Sequence, residues 1–281
     1  MKFSKIKSHA KINLALNITG KNKHLHKIES MIAFIDLHDV ILIKRIKSNI
    51  HNISFNGKFS RHINKTNSVH KLLMILEQKK LLMNKKFQIK ITKNIPIKSG
   101  LGGGSMNAAS ILNYLLKKRL ITTSKKQITK ISNLVGSDVV LGLNSQNSVL
   151  TSSNKISRFT KCKKIYTLII KPNFGCSTKE IYSKVKKFDK PQMNRPNKNM
   201  FNLNYLRKMG NSLEPIVFSR YKRLRNLKLY LENLSNPIFV RMTGSGSALV
   251  AYFQSKARCE SAKKKFVKKY KNYWCMASKT I

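Results

Sequence analysis

Acidic side chains are scarce in this sequence. Its 281 residues include 57 lysines and arginines but only 10 aspartates and glutamates, a formal charge of +47. Any single carboxylate in a suggestive setting is therefore informative. Cysteine is also scarce. Cys162, Cys176, Cys259 and Cys275 are scattered, with no CxxC pair and no His/Cys cluster, so the spacing offers no metal site. Reduced thiols in a cytoplasm are the simplest expectation. Long apolar runs are missing too. Val139–Leu143 and Thr167–Ile170 are far too short to span a bilayer. Lys11, Asn13 and Asn17 interrupt any apolar core in the N-terminal segment, so neither a signal peptide nor a membrane anchor is expected.

Two common nucleotide-binding signatures are absent as well. No Gly-Lys-Ser/Thr follows a glycine run, which excludes a Walker A loop. No carboxylate occurs between Glu77 and Asp138, where a dinucleotide fold would need one to hold a ribose.

What is present is enough apolar material for a core, with 41% hydrophobic residues, and no internal repeat. The large positive charge raises one rival reading, a protein that neutralises nucleic-acid phosphates. The lysines, however, run through the whole chain rather than forming one arm or stripe. Runs such as Lys117–Arg119 and Lys263–Lys265 are read as solvated helix faces, and no specific nucleic-acid partner is expected.

Hydrophobic periodicity orders the elements. Ile12, Leu14, Leu16 and Ile18 alternate as in a half-buried strand. A strand ending at Ile35 and another over Val40–Ile46 follow. Helical spacing covers Thr66–Leu82, and Phe87, Ile89 and Ile91 alternate again. After a turn-rich stretch, Ser105–Lys118 reads as a helix. Val149–Ser152 and Tyr166–Lys171 read as strands, and Ser177-x-x-Glu180 as a capping box. Residues 186–200 read as a loop and Asn202–Asn233 as helices. Ile238–Met242 and Ala248–Phe253 are strands, Ser255–Tyr270 a helix and Tyr273–Ala277 a closing strand. Strands and helices without regular βαβ repetition predict an α+β fold.

The segment that carries chemistry runs Pro96, Ile97, Lys98, Ser99, Gly100, Leu101, Gly102, Gly103, Gly104, Ser105, Met106. It lies between a strand and a helix. Glycines let backbone approach a ligand closely, and a helix start offers unpaired N–H groups and a positive dipole end. Together these suit the phosphates of ATP, with the Ser105 hydroxyl available to phosphate or Mg2+. A β-branched side chain at Gly103 is expected to obstruct that approach without unfolding the chain.

This loop, P-x-x-x-G-L-G-G-G-S-x-N-A-A, resembles the ATP loop of GHMP kinases, in the longer glycine form typical of diphosphocytidyl-methylerythritol kinases. Four further segments resemble motifs of the same family, in the same order along the chain. They are Ala10-Lys11-Ile12-Asn13-Leu14, Gly136-Ser137-Asp138-Val139, Pro172 through Tyr182, and Arg241-Met242-Thr243-Gly244-Ser245-Gly246. The resemblance implies a two-lobed fold, with a ribosomal-S5-domain-2-like N-terminal lobe (1–158) and a ferredoxin-like C-terminal lobe (159–281). It implies phosphoryl transfer from ATP, with Mg2+, to a cytidine diphosphate alcohol. No carboxylate ligand for the metal is identified, and a monomer and a homodimer are both open.

The family pattern implies roles by position. Asp138 would take the proton from the substrate hydroxyl, and Lys11 would favour its ionised form. Asn13, His26, Thr178 and Tyr182 fall where the family holds the cytidine part of its substrate. A bland reading stands beside each: a helix cap for Asp138, a surface loop for His26, core packing for Tyr182. The chain also departs from the pattern. Lys23-His24-Leu25-His26 stands where the family has D-G-Y-H, so Leu25 replaces an aromatic residue that would stack on the cytosine. Val140 replaces a proline and Met106 a serine.

Overall fold

The computed structural model describes residues 2–22, 25–61, 63–64 and 66–281, so Lys23 and His24 lie outside the described residues. The elements, in chain order, are β1 (Ser4–Lys21), β2 (His26–Ile46), β3 (Asn52–Asn56), α1 (Ser68–Gln78), β4 (Lys86–Thr92), α2 (Gly103–Lys117), α3 (Lys125–Val135), α4 (Val139–Gly142), β5 (Asn147–Leu150) and β6 (Ile156–Phe159). They continue with β7 (Tyr166–Lys171), α5 (Thr178–Ser183), a 3-10 turn (Lys198–Phe201), α6 (Leu203–Lys208), α7 (Glu214–Arg220), α8 (Lys222–Glu232), β8 (Phe239–Met242), β9 (Leu249–Phe253), α9 (Lys256–Lys269) and β10 (Trp274–Lys279). The mixture is α+β. Among the described residues no helix is long and apolar enough to cross a membrane.

Two compact units form, each from three separate segments. The first takes Met1–Ala10, Leu37–Ile97 and Gly102–Ser145; the second takes Lys11–Asp36, Lys98–Leu101 and Gln146–Ile281.

In the first unit, the later part of β2 pairs antiparallel with β4, from Val40 opposite Thr92 to Ile46 opposite Lys86. β3 pairs parallel with the other edge of β4. The alternating residues Ile41, Ile43, Phe87, Ile89 and Ile91 form one apolar face. It is covered by Leu72 and Leu76 of α1, Ile111, Leu112 and Leu115 of α2, and Ile131 of α3. α1 starts one residue after Asn67, whose side chain accepts the N–H groups of Val69 and His70. It stops at Gln78, short of the expected Leu82, because Lys80, Met83 and Asn84 have positive φ. α3 has too few apolar positions to stand out in the sequence: only Ile131, Ser132 and Val135 are buried.

In the second unit, four antiparallel strands run in the order β10-β7-β9-β8. Leu224, Leu227 and Leu231 of α8 and Cys259, Ala262 and Phe266 of α9 pack with Leu168, Ile170, Leu249, Ala251 and Phe253 of the sheet. The first part of β2 pairs with β5, and β5 with β6.

The expected break in β2 after Ile35 is absent. Asp36, Leu37, His38 and Asp39 look like a polar interruption, but their burial alternates exposed, buried, half-buried, buried. The strand therefore continues, with the Asp39 carboxylate satisfied by neighbouring donors.

Candidate active site

In the first unit the glycine loop is held from behind. Asp39 is fully buried. Its carboxylate pairs with the Lys93 ammonium and accepts the N–H groups of Asn94 (2.7 Å) and Ile95 (2.9 Å) and the Asn107 side-chain amide (3.0 Å). A buried charge is tolerated only when paired and hydrogen-bonded in this way. One carboxylate thus ties β2, the segment leading into the loop, and α2. Neither Asp39 nor Lys93 stood out in the sequence; the missing signal was the scarcity of acids, applied to Asp39.

The Lys93 ammonium ends 3.3 Å from where a Cβ on Gly103 would stand, so it reaches the start of α2. That helix is preceded by Gly102 at φ 70° and has no acidic residue in its first turn. Its N–H groups and dipole therefore face outward with no acidic neighbour in that turn, as anion binding requires. Gly104 is exposed and Ser105 half-buried. Ser105 Oγ lies 3.6 Å from the Cβ position of Gly136, which brings the loop's hydroxyl to the turn that ends in Asp138. Pro96 and Met106 are buried and Ile97 half-buried. Met106 packs against Gly142. Asp138 is half-buried directly ahead of α4, and its side chain makes no capping hydrogen bond to that helix.

Asp39→Asn is expected to leave the Lys93 ammonium buried without its counter-charge. Breaking one side of such a pair costs about 3–5 kcal/mol. The measurement is the urea unfolding midpoint, followed by a probe of this unit. Adding Lys93→Met should lose much less than the sum of the single losses, because the two residues share one interaction. An unchanged midpoint for Asp39→Asn would remove this carboxylate as the support of the loop.

In the second unit, three motifs far apart in sequence share one hydrogen-bond network. The Lys11 N–H donates to the Leu101 carbonyl (3.1 Å), and Lys11 Nζ donates to Asn13 Oδ1 (2.7 Å). The Asn13 N–H donates to Thr243 Oγ1 (3.0 Å), and Thr243 Oγ1 donates to the Gly100 carbonyl (3.2 Å). The Ala248 N–H donates to the Ser99 carbonyl (3.2 Å). Asn13 Nδ2 donates to Ser30 Oγ (2.8 Å), so the Asn13 amide is engaged on both sides and holds the Lys11 ammonium in place. Lys11 and Asn13 are both buried. Thr178 Oγ1 and Ser245 Oγ, 2.8 Å apart, share a hydrogen bond that adds the fourth motif. Lys98, Gly100 and Thr178 line one cavity of about 450 Å³ together with Cys176 and Tyr221. Burial pushes the Cys176 thiol up to about 11, so it stays protonated near neutral pH. Ser30 and Thr243 were not assigned roles from the sequence. Thr243 lay inside a quoted motif, while Ser30 carries no local signal.

His26 and Tyr182 also meet in this unit, with ring centroids 5.3 Å apart and planes tilted by 50°. Burial, and secondarily the charge of Lys21, lowers the His26 pKa, so the imidazole is neutral at pH 7. Its Nε2 is removed from solvent and has no hydrogen-bond partner among the described residues. Tyr182, on α5, is half-buried and packs on the sheet-and-helix core, so the packing reading and the ring contact both hold. α5 opens as expected, with Ser177 Oγ accepting the Glu180 N–H (3.4 Å). Leu25 is 75% exposed.

A second cavity, of about 440 Å³, lies in the first unit beside α1, where His51, His70 and Glu77 contribute to its wall. None of the residues singled out from the sequence lines it.

Residues 67–151 match the model of the GHMP kinases N terminal domain. Over 277 residues the chain is 53% identical to a 4-diphosphocytidyl-2-C-methyl-D-erythritol kinase of Pelagibacter ubique (strain HTCC1062), covering 99% of both chains. It is 30% identical over 278 residues to the enzyme so named from Clostridium beijerinckii, covering 95% of this chain and 97% of that one. The fold matches the crystal structure of a 4-(cytidine 5'-diphospho)-2C-methyl-D-erythritol kinase at a TM-score of 0.80 with 20% identity, over 99% of this chain and 100% of that one. The fold is thus that of GHMP kinases, and the five motifs read from the sequence lie within an alignment that runs end to end. The chain belongs to the 4-diphosphocytidyl-2-C-methyl-D-erythritol kinase family.

Proposed function

We propose that this chain transfers the γ-phosphoryl group of ATP to the 2-hydroxyl of 4-diphosphocytidyl-2-C-methyl-D-erythritol, a step of non-mevalonate (MEP pathway) isoprenoid precursor synthesis. The observation that carries this reading is the full-length likeness at 53% identity to a kinase of that name. The glycine loop and the open start of α2 supply the phosphate site. Asp138 takes the proton of the acceptor hydroxyl, and Lys11 places that hydroxyl. Phosphoryl transfer then needs chiefly alignment and neutralised charge. Bound with the nucleotide, Mg2+ would supply neutralisation of phosphate charge. The residues fit it: Ser105 Oγ, beside the Gly136–Asp138 turn, is the chain's oxygen donor at the loop. Both reactants are charged and water-soluble, which fits work in the cytoplasm.

The test is ADP formation in the presence of Mg2+ with the cytidine substrate, homoserine, mevalonate or a hexose as acceptor. Turnover confined to the cytidine substrate is expected; faster turnover of any other acceptor would move the chain to a different specificity.

Within that reading Tyr182 is the aromatic wall against the base. Stacking a base on an aromatic ring is worth about 1–3 kcal/mol by alanine substitution. Tyr182→Ala is therefore expected to raise the Michaelis constant for the cytidine substrate by roughly ten- to a hundred-fold and to leave that for ATP alone. An unchanged constant would make Tyr182 a core residue only.

A further inference from the structure

Phe188 is 49% exposed and is the one exposed aromatic side chain among the described residues. It belongs to the stretch read from sequence as an unstructured loop, and such a ring ordinarily folds inward to escape water. Here the chain around it is held in place instead. The next residue, Asp189, donates its N–H to the Ile18 carbonyl (2.7 Å), and its carboxylate accepts the Ile18 N–H (3.2 Å) and the Ser212 hydroxyl. Further on, the buried Glu29 carboxylate accepts the N–H groups of Gln192 (2.7 Å) and Met193 (3.0 Å), and Met193 is fully buried. Two of the ten acidic residues are thus committed to fixing this segment against β1 and β2.

The fixed ring stands beside His26. The Phe188 centroid lies 6.4 Å from that of His26, with planes tilted by 54°, and His26 in turn lies 5.3 Å from Tyr182. Two aromatic rings therefore flank the His26 imidazole, whose Nε2 has no hydrogen-bond partner among the described residues. Flat π surfaces are complementary to the face of a heteroaromatic base. Lys186, Lys187 and Lys190 flank Phe188 and favour an anionic ligand over a bare apolar one. Leu25 occupies the position where an aromatic neighbour of His26 would be expected. It cannot stack, and it is largely exposed to solvent.

We propose that Phe188 is a specificity residue of this chain, supplying the aromatic surface for the nucleobase of the acceptor that position 25 does not. The inference rests on the cytidine-alcohol reading above and adds the residue that completes its base site. It also gives the anchoring by Asp189 and Glu29 a purpose, since a stacking ring works only if its place is set before the ligand arrives.

The test combines steady-state kinetics with calorimetric titration of CDP, which reads binding apart from turnover. Phe188→Ala is expected to raise the Michaelis constant for the cytidine substrate and the dissociation constant for CDP by about ten- to a hundred-fold. The constant for ATP and the thermal midpoint should stay put, because the ring is exposed. Phe188→Trp should restore binding and Phe188→Leu should not, which separates stacking from mere apolar cover. If Phe188→Ala leaves both constants unchanged while Tyr182→Ala raises them, Phe188 is no part of the site and the cytidine reading stands without it. If neither variant moves them, the cytidine reading falls as well. A Leu25→Ala variant that weakens CDP where Phe188→Ala does not would return the second wall to position 25.

Discussion

Asp138→Asn is expected to lower the turnover number by about a hundred- to ten-thousand-fold, the usual worth of a positioned general base. The dissociation constant for ATP should hardly move. Asn has the shape of Asp but cannot accept the proton. The fold around it is therefore expected to survive, which a thermal midpoint equal to the parent's would verify. Lys11→Ala is expected to be severely impaired on its own, because it removes an ammonium that Asn13 Oδ1 holds in place. Combined with Asp138→Asn it should add little, as for residues acting as a unit. The decisive readout is single-turnover phosphoryl transfer at saturating ATP. Near-parental turnover by Asp138→Asn would end its assignment as the base.

Gly100→Ala is expected to lower kcat/KM by about a hundred-fold or more, the scale that a displacement of about 1 Å can cost. A Cβ on Gly100 would stand 2.0 Å from the Thr243 carbonyl oxygen, and the residue's φ is 77°. Backbone on both sides must move, and the network through Thr243, Asn13 and Lys11 moves with it. The other glycines do not behave alike. At Gly103 a Cβ would meet Ile95 Cγ2 at 3.0 Å, so Gly103→Val presses on the core as well as on any ligand. The expectation that this variant would block ATP with the fold untouched is therefore replaced by one of combined damage. Gly104 is the cleaner probe, since its nearest neighbour is Ser68 Oγ at 3.4 Å. Gly104→Ala should keep the thermal midpoint and weaken ATP. If it binds ATP as the parent does, backbone at that position makes no close approach to phosphate.

Much of the fold could be read from periodicity because its signals are local. β4, β7, β8, β9, α2 and α9 fall within two residues of where the alternation or helical spacing puts them. The elements that escaped notice have weak patterns. β3 and β6 are short and half-exposed, and α3 is a largely polar helix. The expected break inside β2 failed for a different reason. Polarity at Asp36–Asp39 reads as a turn unless the chain supplies donors for Asp39, and those donors, Lys93, Asn94, Ile95 and Asn107, lie more than fifty residues away.

The same division runs through the candidate site. Motif order and residue type were enough to name the family, because the glycine run, the Gly-Ser-Asp turn and the Arg-Met-Thr-Gly segment are each contiguous. Roles that depend on what stands next to a residue in space were out of reach. The hydrogen bonds of the Asn13 amide to Lys11 and Ser30 are one such case. Phe188 looks like a loop residue until Asp189 and Glu29 fix its segment beside β1 and β2. The sequence by itself determined the α+β class and the kinase family. Only the tertiary structure decided which carboxylate supports the glycine loop and which aromatic rings gather at His26. Those choices rest on hydrogen bonds and ring contacts between residues tens to hundreds of positions apart, whose pairing leaves no periodic trace along the chain.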